Sequence, residues 1–254
     1  MISVAVAGYA GRMGSAVVDA VTAAKDMEVA CGIDPFGGEA SFATYKSIYE
    51  ALQGSSFDVL VDFTQPSVVA KTLEKALPAG VDCVVGTTGM SDDTLNALAA
   101  SAKSGTCLFY APNFTTGAVL MMEFAKAAAP YFPESEVIEF HHCNKKDAPS
   151  GTAVRTAQII SRSRDFTSVA PGSETEIDGC EGARGALVEG VPVHSVRSMG
   201  YVASQEVIFG SMGQTLTIRH DSWDRTSYMP GVLLGIRSVG KCSGLVVGLE
   251  NFMA

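Results

Sequence analysis

The sequence is short of the features that mark several large classes of protein. Its 18 lysines and arginines are outnumbered by 27 aspartates and glutamates, which gives a net charge of −9. This balance argues against general nucleic-acid binding, which needs a basic surface to neutralise phosphates. Apolar runs stay well short of the roughly 20 residues that span a bilayer. The opening MISVAVAG lacks the basic and cleavage regions of a signal peptide, so we expect neither a leader nor a membrane segment.

The six cysteines are scattered and contain no C-x-x-C pair. We therefore expect no zinc site, no other metal site and no disulfide framework. Isolated cysteines in apolar surroundings usually behave as small buried hydrophobes. We expect a reducing location, which is the cytoplasm of a bacterium or the plastid stroma if the source is plant-like.

Strand-like and helix-like segments alternate along the first half of the chain. Apolar strand candidates such as SVAVAG, MEVACGID, DVLVDFT and DCVVGTTG are separated by helical patterns such as PSVVAKTLEKALPAG. Such alternation predicts an α/β fold with a parallel sheet covered on both faces. We place this Rossmann-like dinucleotide-binding domain at residues 1–113 and 223–254, the C-terminal tail returning to it.

The pattern changes near residue 114 and predicts a second, α+β domain over residues 114–222. A long helix, the strand SEVIEFHH and the helix GTAVRTAQIISRSR are followed by a glycine-rich loop at residues 171–190. The later segments VPVHSVRS, SQEVIFGS and QTLTIRHD alternate apolar and polar residues, as in a half-exposed mixed or antiparallel sheet.

A glycine-rich loop joins the first strand to the first helix. Gly8, Gly11 and Gly14 have a G-x-x-G-x-x-G spacing, with Ala10 where the usual dinucleotide motif has its middle glycine. Glycines allow a tight turn and a close backbone approach to a pyrophosphate, which the free N–H groups of a helix N-terminus stabilise. The alternative is a strand-to-helix turn that binds nothing.

Asp34 ends the second strand candidate, where an acidic side chain accepts hydrogen bonds from the adenosine ribose of NAD. The next basic residue is Lys46, so we expect NADH to be tolerated or preferred. Arg12 leaves NADPH open, because its guanidinium could contact a ribose 2′-phosphate. The alternative for Asp34 is a turn-forming aspartate before Pro35.

The stretch EFHHCNKKDAPSGTA concentrates titratable groups beside a predicted helix start. His141 and His142 end a strand on opposite faces. Ser150 is a candidate N-cap, and the N–H groups of Gly151 and Thr152 would then form an anion site. With Lys145 nearby, this arrangement suits a small dicarboxylate whose reacting ring lies beside proton-transfer groups.

Three other interpretations of this stretch remain open. The charges could belong to a solvated loop. A metal site is disfavoured, because adjacent histidines on a strand diverge and no third ligand lies nearby. Cys143 could act as a nucleophile with His142 as its base, although sequence adjacency is not geometry.

The motifs AGRMG, VDFTQPS, GTTG, APNFTTGAVLMM and EFHHCNKKDAPSGTA together closely resemble the dihydrodipicolinate reductase family. The resemblance runs from Val4 to the C-terminal SYMPGVLLGIRSV. It implies reduction of 4-hydroxy-tetrahydrodipicolinate, a cyclic imine dicarboxylate, by NADH or NADPH in lysine and diaminopimelate biosynthesis. It also implies a homotetramer joined through the sheet of the second domain.

The resemblance also implies roles for individual residues. His141 corresponds to the catalytic acid/base and Lys145 to its proton-donating partner, while His142, Gly151 and Thr152 correspond to contacts with the substrate. The implied cofactor contacts are Gly8, Tyr9, Ala10, Gly11, Arg12, Met13, Asp34, Gly86, Thr87, Thr88, Ala111, Pro112, Asn113 and Phe114.

Two competing functions can be distinguished from this one. An aldehyde or semialdehyde dehydrogenase on the same plan would need an activated cysteine such as Cys143. A nicotinamide-sensing module would bind NADH without turnover, but it would have little use for the histidine–lysine cluster. The fold alone decides neither question.

Overall fold

A computed structural model describes residues 1–165 and 182–253, which divide into two compact units. Unit 1 comprises Met1–Thr116 and Arg225–Ala254, and unit 2 comprises Gly117–Asp224. Among the helices of these residues, none is long and apolar enough to cross a membrane. The strands and α-helices in chain order are β1 (Ile2–Ala7), α1 (Arg12–Ala23), β2 (Met27–Ile33), β3 (Ala43–Tyr45), α2 (Ile48–Gly54), β4 (Val59–Asp62), α3 (Pro66–Ala79), β5 (Asp82–Val85), α4 (Asp92–Ala100), β6 (Cys107–Tyr110), α5 (Thr116–Ala128), β7 (Glu134–His141), α6 (Gly151–Arg162), β8 (Ala186–Val188), β9 (Val191–Arg197), β10 (Ala203–Ser211), β11 (Gln214–Ser222), α7 (Met229–Val239) and β12 (Gly244–Val247). Short 3-10 helices occupy Ala129–Tyr131, Arg225–Tyr228 and Leu249–Phe252.

Unit 1 is built on a seven-stranded sheet with the order β12-β6-β5-β4-β1-β2-β3. Every neighbouring pair is parallel, so the predicted Rossmann-like α/β fold is confirmed. Because all strands run the same way, their carboxyl ends share one edge of the sheet. In open sheets of this type, that edge is where ligands bind.

The sequence of unit 1 explains why its sheet is covered by helices on both faces. All four residues of β4 are buried, as are all four of β6, which is the pattern of strands without a solvent face. Helix α3 buries Val69, Leu73 and Leu77, at i, i+4 and i+8, so one stripe of the helix meets the sheet. The apolar core therefore fixes where the polar loops between strands and helices emerge.

Two short elements of unit 1 fall in a stretch that the sequence pattern left without structure. Strand β3 and helix α2 lie between β2 and β4, in the polar, glycine-rich segment. Strand β3 has three residues and helix α2 has seven, and both are too short to show a hydrophobic period. Ser47 does give α2 a local signal, because its hydroxyl accepts a hydrogen bond from the Glu50 amide at 3.3 Å.

Unit 2 contains a five-stranded sheet with the order β11-β10-β7-β9-β8. Strands β7 and β9 are parallel, whereas the other pairs are antiparallel, so the predicted mixed sheet is confirmed. Helix α6 packs on β7 and β9. Strand β8 lies inside the loop predicted at residues 171–190, and residues 171–181 of that loop lie outside the described residues.

The expectation of no disulfide is wrong for one pair of cysteines. Cys107 and Cys242 are joined, with their Cα atoms 5.7 Å apart and their positions 135 residues apart in sequence. The pairing of β12 with β6 places Gly244 opposite Cys107, which brings the two cysteines together. Cys31 and Cys83 are buried thiols, as expected, but Cys143 is exposed.

Candidate active site

The loop between β1 and α1 is held in a tight turn. Gly8 has φ of +77°, a conformation that residues with a side chain rarely adopt. The amide of Gly11 donates to the carbonyl of Gly8 at 2.9 Å. A Cβ atom on Gly14 would overlap the same Gly8 carbonyl. The glycine spacing therefore lets the first turn of α1 approach the end of β1 and present its free N–H groups there.

A pocket of about 710 Å³ opens beside this loop. It brings together five of the predicted cofactor contacts, namely Gly8, Gly11, Arg12, Met13 and Asp34. Its wall also includes Phe63, Thr64, Gln65, Lys46 and Lys71. The turn of N–H groups and three basic side chains suits the phosphates of a dinucleotide. The residues present therefore fit a pyridine nucleotide.

Asp34 both forms a turn and lines the pocket. Its Oδ1 atom accepts a hydrogen bond from the Phe36 amide at 2.9 Å, and its carbonyl accepts one from the Gly37 amide at 3.2 Å. The turn-forming interpretation is thus correct, but it does not exclude the other one. A carboxylate accepts several hydrogen bonds, and Asp34 lies in the pocket wall beside Arg12 and Lys46.

Other predicted cofactor residues lie outside this pocket wall. The Tyr9 side chain is buried, packs edge-on against Phe42 and donates to the Gly38 carbonyl at 2.6 Å. Tyr9 can therefore meet a ligand in this pocket only through its backbone, whereas Ala10 is exposed. The segments that follow β5 and β6 lie at the same carboxyl edge of the sheet as the glycine loop; they carry Gly86, Thr87, Thr88, Ala111, Pro112, Asn113 and Phe114.

Asp62, to which the sequence analysis gave no role, ties two of these loops together. It ends β4 and is fully buried. Its Oδ1 atom accepts hydrogen bonds from the hydroxyls of Thr64 and Thr87, each at 2.8 Å. Burial raises the pKa of Asp62, although the hydrogen bonds from Thr64 and Thr87 oppose that rise. Its Oδ2 atom is buried without a hydrogen-bond partner among the described residues.

In unit 2 the candidate acid/base His141 is the last residue of β7, and a carboxylate of the same strand contacts its ring. Its Nδ1 atom contacts a carboxylate oxygen of Glu139, two residues earlier on the same face of the strand. Glu139 is fully buried. Burial opposes its ionisation, but hydrogen bonds from His141, Arg197 and Ser195 outweigh that effect and lower the pKa of Glu139 to about 2.

Arg197 extends this arrangement to the loop that carries Lys145. Its Nη2 atom donates to Oε1 of Glu139 at 2.8 Å and to the carbonyl of Asp147 at 2.7 Å. The ammonium of Lys145 donates to the Asp147 carboxylate at 2.8 Å, and this hydrogen bond lowers the pKa of Asp147. The structure therefore connects the two candidate catalytic residues through Glu139, Arg197 and Asp147, none of which the sequence analysis had assigned.

The predicted start of α6 is confirmed. The hydroxyl of Ser150 accepts a hydrogen bond from the Ala153 amide at 3.2 Å, as an N-cap does. The amides of Gly151 and Thr152 occupy the first turn, where helix geometry gives them no partner within the helix. A Cβ atom on Gly151 would meet nothing within 4 Å, so the helix start is open to a ligand.

The remaining interpretations of this stretch find less support. His142 is exposed and follows the end of β7, and its carbonyl accepts a hydrogen bond from the Lys145 amide at 3.1 Å. Among the described residues, no group of three histidine, cysteine or acidic side chains could hold a metal ion. The Cys143 thiol is exposed, and among the described residues no hydrogen bond joins it to the His142 imidazole.

Comparison with known proteins decides the family. Models of the dihydrodipicolinate reductase N-terminus and C-terminus match residues 2–114 and 117–253. The chain belongs to the dihydrodipicolinate reductase family. Its match covers nearly every residue, so the resemblance seen in the sequence motifs is confirmed.

Individual members of the dihydrodipicolinate reductase family match the chain from end to end. The 4-hydroxy-tetrahydrodipicolinate reductase of Streptomyces coelicolor is 48% identical over 99% of this chain and 98% of its own length. That of Mycolicibacterium smegmatis is 47% identical over 98% of both chains. The solved structure of dipicolinate-bound dihydrodipicolinate reductase from Paenisporosarcina sp. TG-14 is 41% identical, with a TM-score of 0.87 over 99% of both chains. The chain is thus an oxidoreductase, and its N-terminal family domain implies a pyridine-nucleotide cofactor.

Proposed function

We propose that the chain catalyses the NAD(P)H-dependent reduction of 4-hydroxy-tetrahydrodipicolinate to tetrahydrodipicolinate in lysine and diaminopimelate biosynthesis, in the cytoplasm or, in a plant-like source, the plastid stroma. The observation that carries the proposal is the pairing of a proton-transfer cluster with a helix start in unit 2. His141 and Lys145 are joined through the buried Glu139, the half-buried Arg197 and the exposed Asp147. Helix α6 begins four residues after Asp147. Unit 2 would bind the substrate, and unit 1 would bind the dinucleotide.

The start of α6 is where we place a substrate carboxylate. The free amides of Gly151 and Thr152 and the positive end of the helix dipole favour an anion there. His142, exposed at the end of β7, would contact the same ligand. The related Paenisporosarcina enzyme was solved with dipicolinate, a dicarboxylate, which supports this assignment.

The reaction replaces a hydroxyl group by hydrogen, so it consumes one hydride and one proton and releases water. The reduced nicotinamide, when bound, supplies the hydride. The chain's own residues manage the proton. Because Nδ1 of His141 is engaged by Glu139, its Nε2 atom is left to exchange a proton with the substrate. Lys145, a cation partnered by Asp147, would supply a proton to the departing oxygen.

Both cofactors can be accommodated by the pocket of unit 1, and we propose that NADH is used at least as well as NADPH. Asp34 would accept hydrogen bonds from the adenosine ribose of NADH. Arg12 and Lys46 lie in the same pocket wall and would contact the 2′-phosphate of NADPH. The acidic and basic side chains thus favour different cofactors without excluding either.

We further propose that the chain assembles as a homotetramer through the sheet of unit 2. Helix α6 packs on β7 and β9, on the face that carries the buried Val137 and Glu139. Alternation along the strands places Ile138, Phe140 and Ile208 on the opposite face, where they are half-buried in the single chain. On this face the half-buried apolar side chains are interspersed with charged ones, such as Glu136 opposite Ile208 and Glu206 opposite Ile138. A sheet face of this mixed kind suits an interface between identical sheets.

A coupled assay tests the proposed reaction. Dihydrodipicolinate synthase, pyruvate and aspartate semialdehyde would generate the unstable substrate in the cuvette, and loss of the near-ultraviolet absorbance of NADH or NADPH would report reduction. We expect oxidation that depends on both the synthase and this protein. Protein that binds NADH but oxidises neither cofactor would favour the sensing module instead.

A further inference from the structure

Glu139 is the only group in the described structure that contacts both His141 and Arg197 through the two oxygens of one carboxylate. We propose that Glu139 is the positioning residue of the proton-transfer site: it orients His141 directly and places Lys145 through Arg197 and the loop that ends at Ser150. This inference rests on the proposed function, and it adds to it the group that organises the two catalytic residues.

The first link fixes the imidazole. Glu139 is fully buried, and its contact with Nδ1 holds the ring so that Nε2 points away from the strand that carries it. A carboxylate at this nitrogen also selects the tautomer in which Nδ1 carries the proton, and it stabilises the imidazolium that forms when Nε2 accepts one. Glu139 can therefore set both the direction and the protonation of His141 without touching the substrate.

The second link reaches Lys145. Arg197 stands opposite His141 in the β7–β9 register, and its Nη2 atom joins Glu139 to the carbonyl of Asp147. The carboxylate of Asp147 in turn accepts a hydrogen bond from the ammonium of Lys145. Because Arg197 is itself held by the buried carboxylate, loss of Glu139 would release a loop segment that has no regular secondary structure of its own between β7 and α6.

A second carboxylate of β7, that of Glu136, also contacts a histidine and an arginine, but away from the proton-transfer site. Glu136 contacts His194 and Arg184, but it lies on the opposite face of the strand and its side chain is 26% exposed. Glu139 is 0% exposed, and its partners include both the candidate acid/base and the anchor of the Lys145 loop. Its burial and its position distinguish a positioning role from an ordinary surface ion pair.

The test begins with Glu139→Gln, which keeps the side-chain size and removes the charge. We expect kcat to fall at least about tenfold with little change in KM. NADH binding should not change, since the cofactor pocket belongs to unit 1. Glu189→Gln, which breaks an exposed pair with Arg162, is the charge-loss control and should keep full activity.

A double-mutant cycle separates positioning from general stability. In a chain that already carries His141→Ala and Lys145→Ala, Glu139→Gln should cost no further activity, because its effect passes through those two groups. A second loss of similar size in that background would overturn the proposal, as would an unchanged kcat in the single variant. If Glu139→Gln does not fold, Arg197→Lys takes its place in the same cycle, because lysine keeps the charge but cannot bridge two acceptors as the guanidinium does.

Nitrogen NMR of the His141 ring gives a readout that does not depend on turnover. The protein should show a proton on Nδ1 in the neutral form, and Glu139→Gln should give a mixture of tautomers. If the protein proves inactive in the coupled assay, the proposed function fails while this spectrum still decides the positioning. A spectrum unaffected by Glu139→Gln would contradict the inference whatever the reaction.

Discussion

The hydroxyl of Thr87 donates a hydrogen bond to Oδ1 of Asp62 across 2.8 Å. This contact joins the loop after β5 to the end of β4, and Asp62 in turn fixes Thr64 in the pocket wall. A fully buried carboxyl group therefore shapes two segments that we assign to the cofactor. The cost of burying it should be visible in the stability of the protein.

Asp62→Asn should alter the pH dependence of folding. Burial raises the pKa of Asp62 in the folded protein, whereas in the unfolded chain an aspartate ionises near about 4. The unfolded chain therefore releases this proton first, and the contribution of Asp62 to stability declines as pH rises from that value through the raised pKa. Urea unfolding of both proteins should show wild type losing stability relative to the variant over this range. A difference that is constant with pH, or that grows with pH, would contradict the assignment.

His141→Ala and Lys145→Ala should each lower kcat by roughly a hundredfold or more, because each removes a proton-transfer group. The measurement is steady-state kinetics in the synthase-coupled assay. Lys146→Ala is the matched control, since Lys146 is the exposed neighbour of Lys145 and should leave kcat within about twofold of wild type. Full kcat in both of the first two variants would remove these residues from the mechanism.

Lys46→Ala should raise the KM for NADPH more than that for NADH. The expected difference is about fivefold, because an exposed charge contact contributes up to about 1 kcal/mol. Asp34→Ala should instead raise the KM for NADH more than that for NADPH, since it removes the acceptor for the ribose hydroxyls. Lys75→Ala serves as the control, because Lys75 lies one helical turn beyond Lys71 on α3 and is outside the pocket wall. Equal changes for both cofactors would argue against the proposed ribose and phosphate contacts.

Ile208→Glu should reduce the assembly to smaller species. The substitution places a negative charge on the sheet face that we propose as the interface, directly opposite Glu136 in the β10–β7 register, where like charges repel and burial is costly. Light scattering would report the mass, and circular dichroism would show whether the single chain remains folded. Ile208→Leu keeps the apolar surface and should preserve the tetramer. An unchanged mass for the glutamate variant would place the interface elsewhere.

Features that depend on neighbouring residues could be predicted from the sequence. Ser150 was expected to cap a helix, and its hydroxyl accepts the amide three residues later, because capping is set within one turn of chain. Ser91 caps α4 in the same way. The glycine turn at Gly8 and the strand that ends at His141 are local in the same way. The alternation of apolar strands and helices was sufficient to give the α/β class.

Features that depend on distant partners could not be predicted from the sequence. Thr87 lies 25 residues after Asp62, and Arg197 lies 58 residues after Glu139, so nothing in either local pattern indicates the pairing. Cys107 and Cys242 are 135 residues apart and meet only because β12 pairs with β6. Such pairs depend on sheet register, which the sequence pattern specifies only in part.

Deuterium transfer is the most direct test of the central claim that this protein moves a hydride to the cyclic imine dicarboxylate. NADH carrying deuterium at both C4 positions of the nicotinamide would be supplied with synthase-generated substrate, and the tetrahydrodipicolinate formed would be examined by mass spectrometry. The account predicts one deuterium in the product from wild type, and strongly reduced formation of that product with His141→Ala. Oxidation of labelled NADH with no deuterium in tetrahydrodipicolinate, or no oxidation at all by protein that binds NADH, would contradict it.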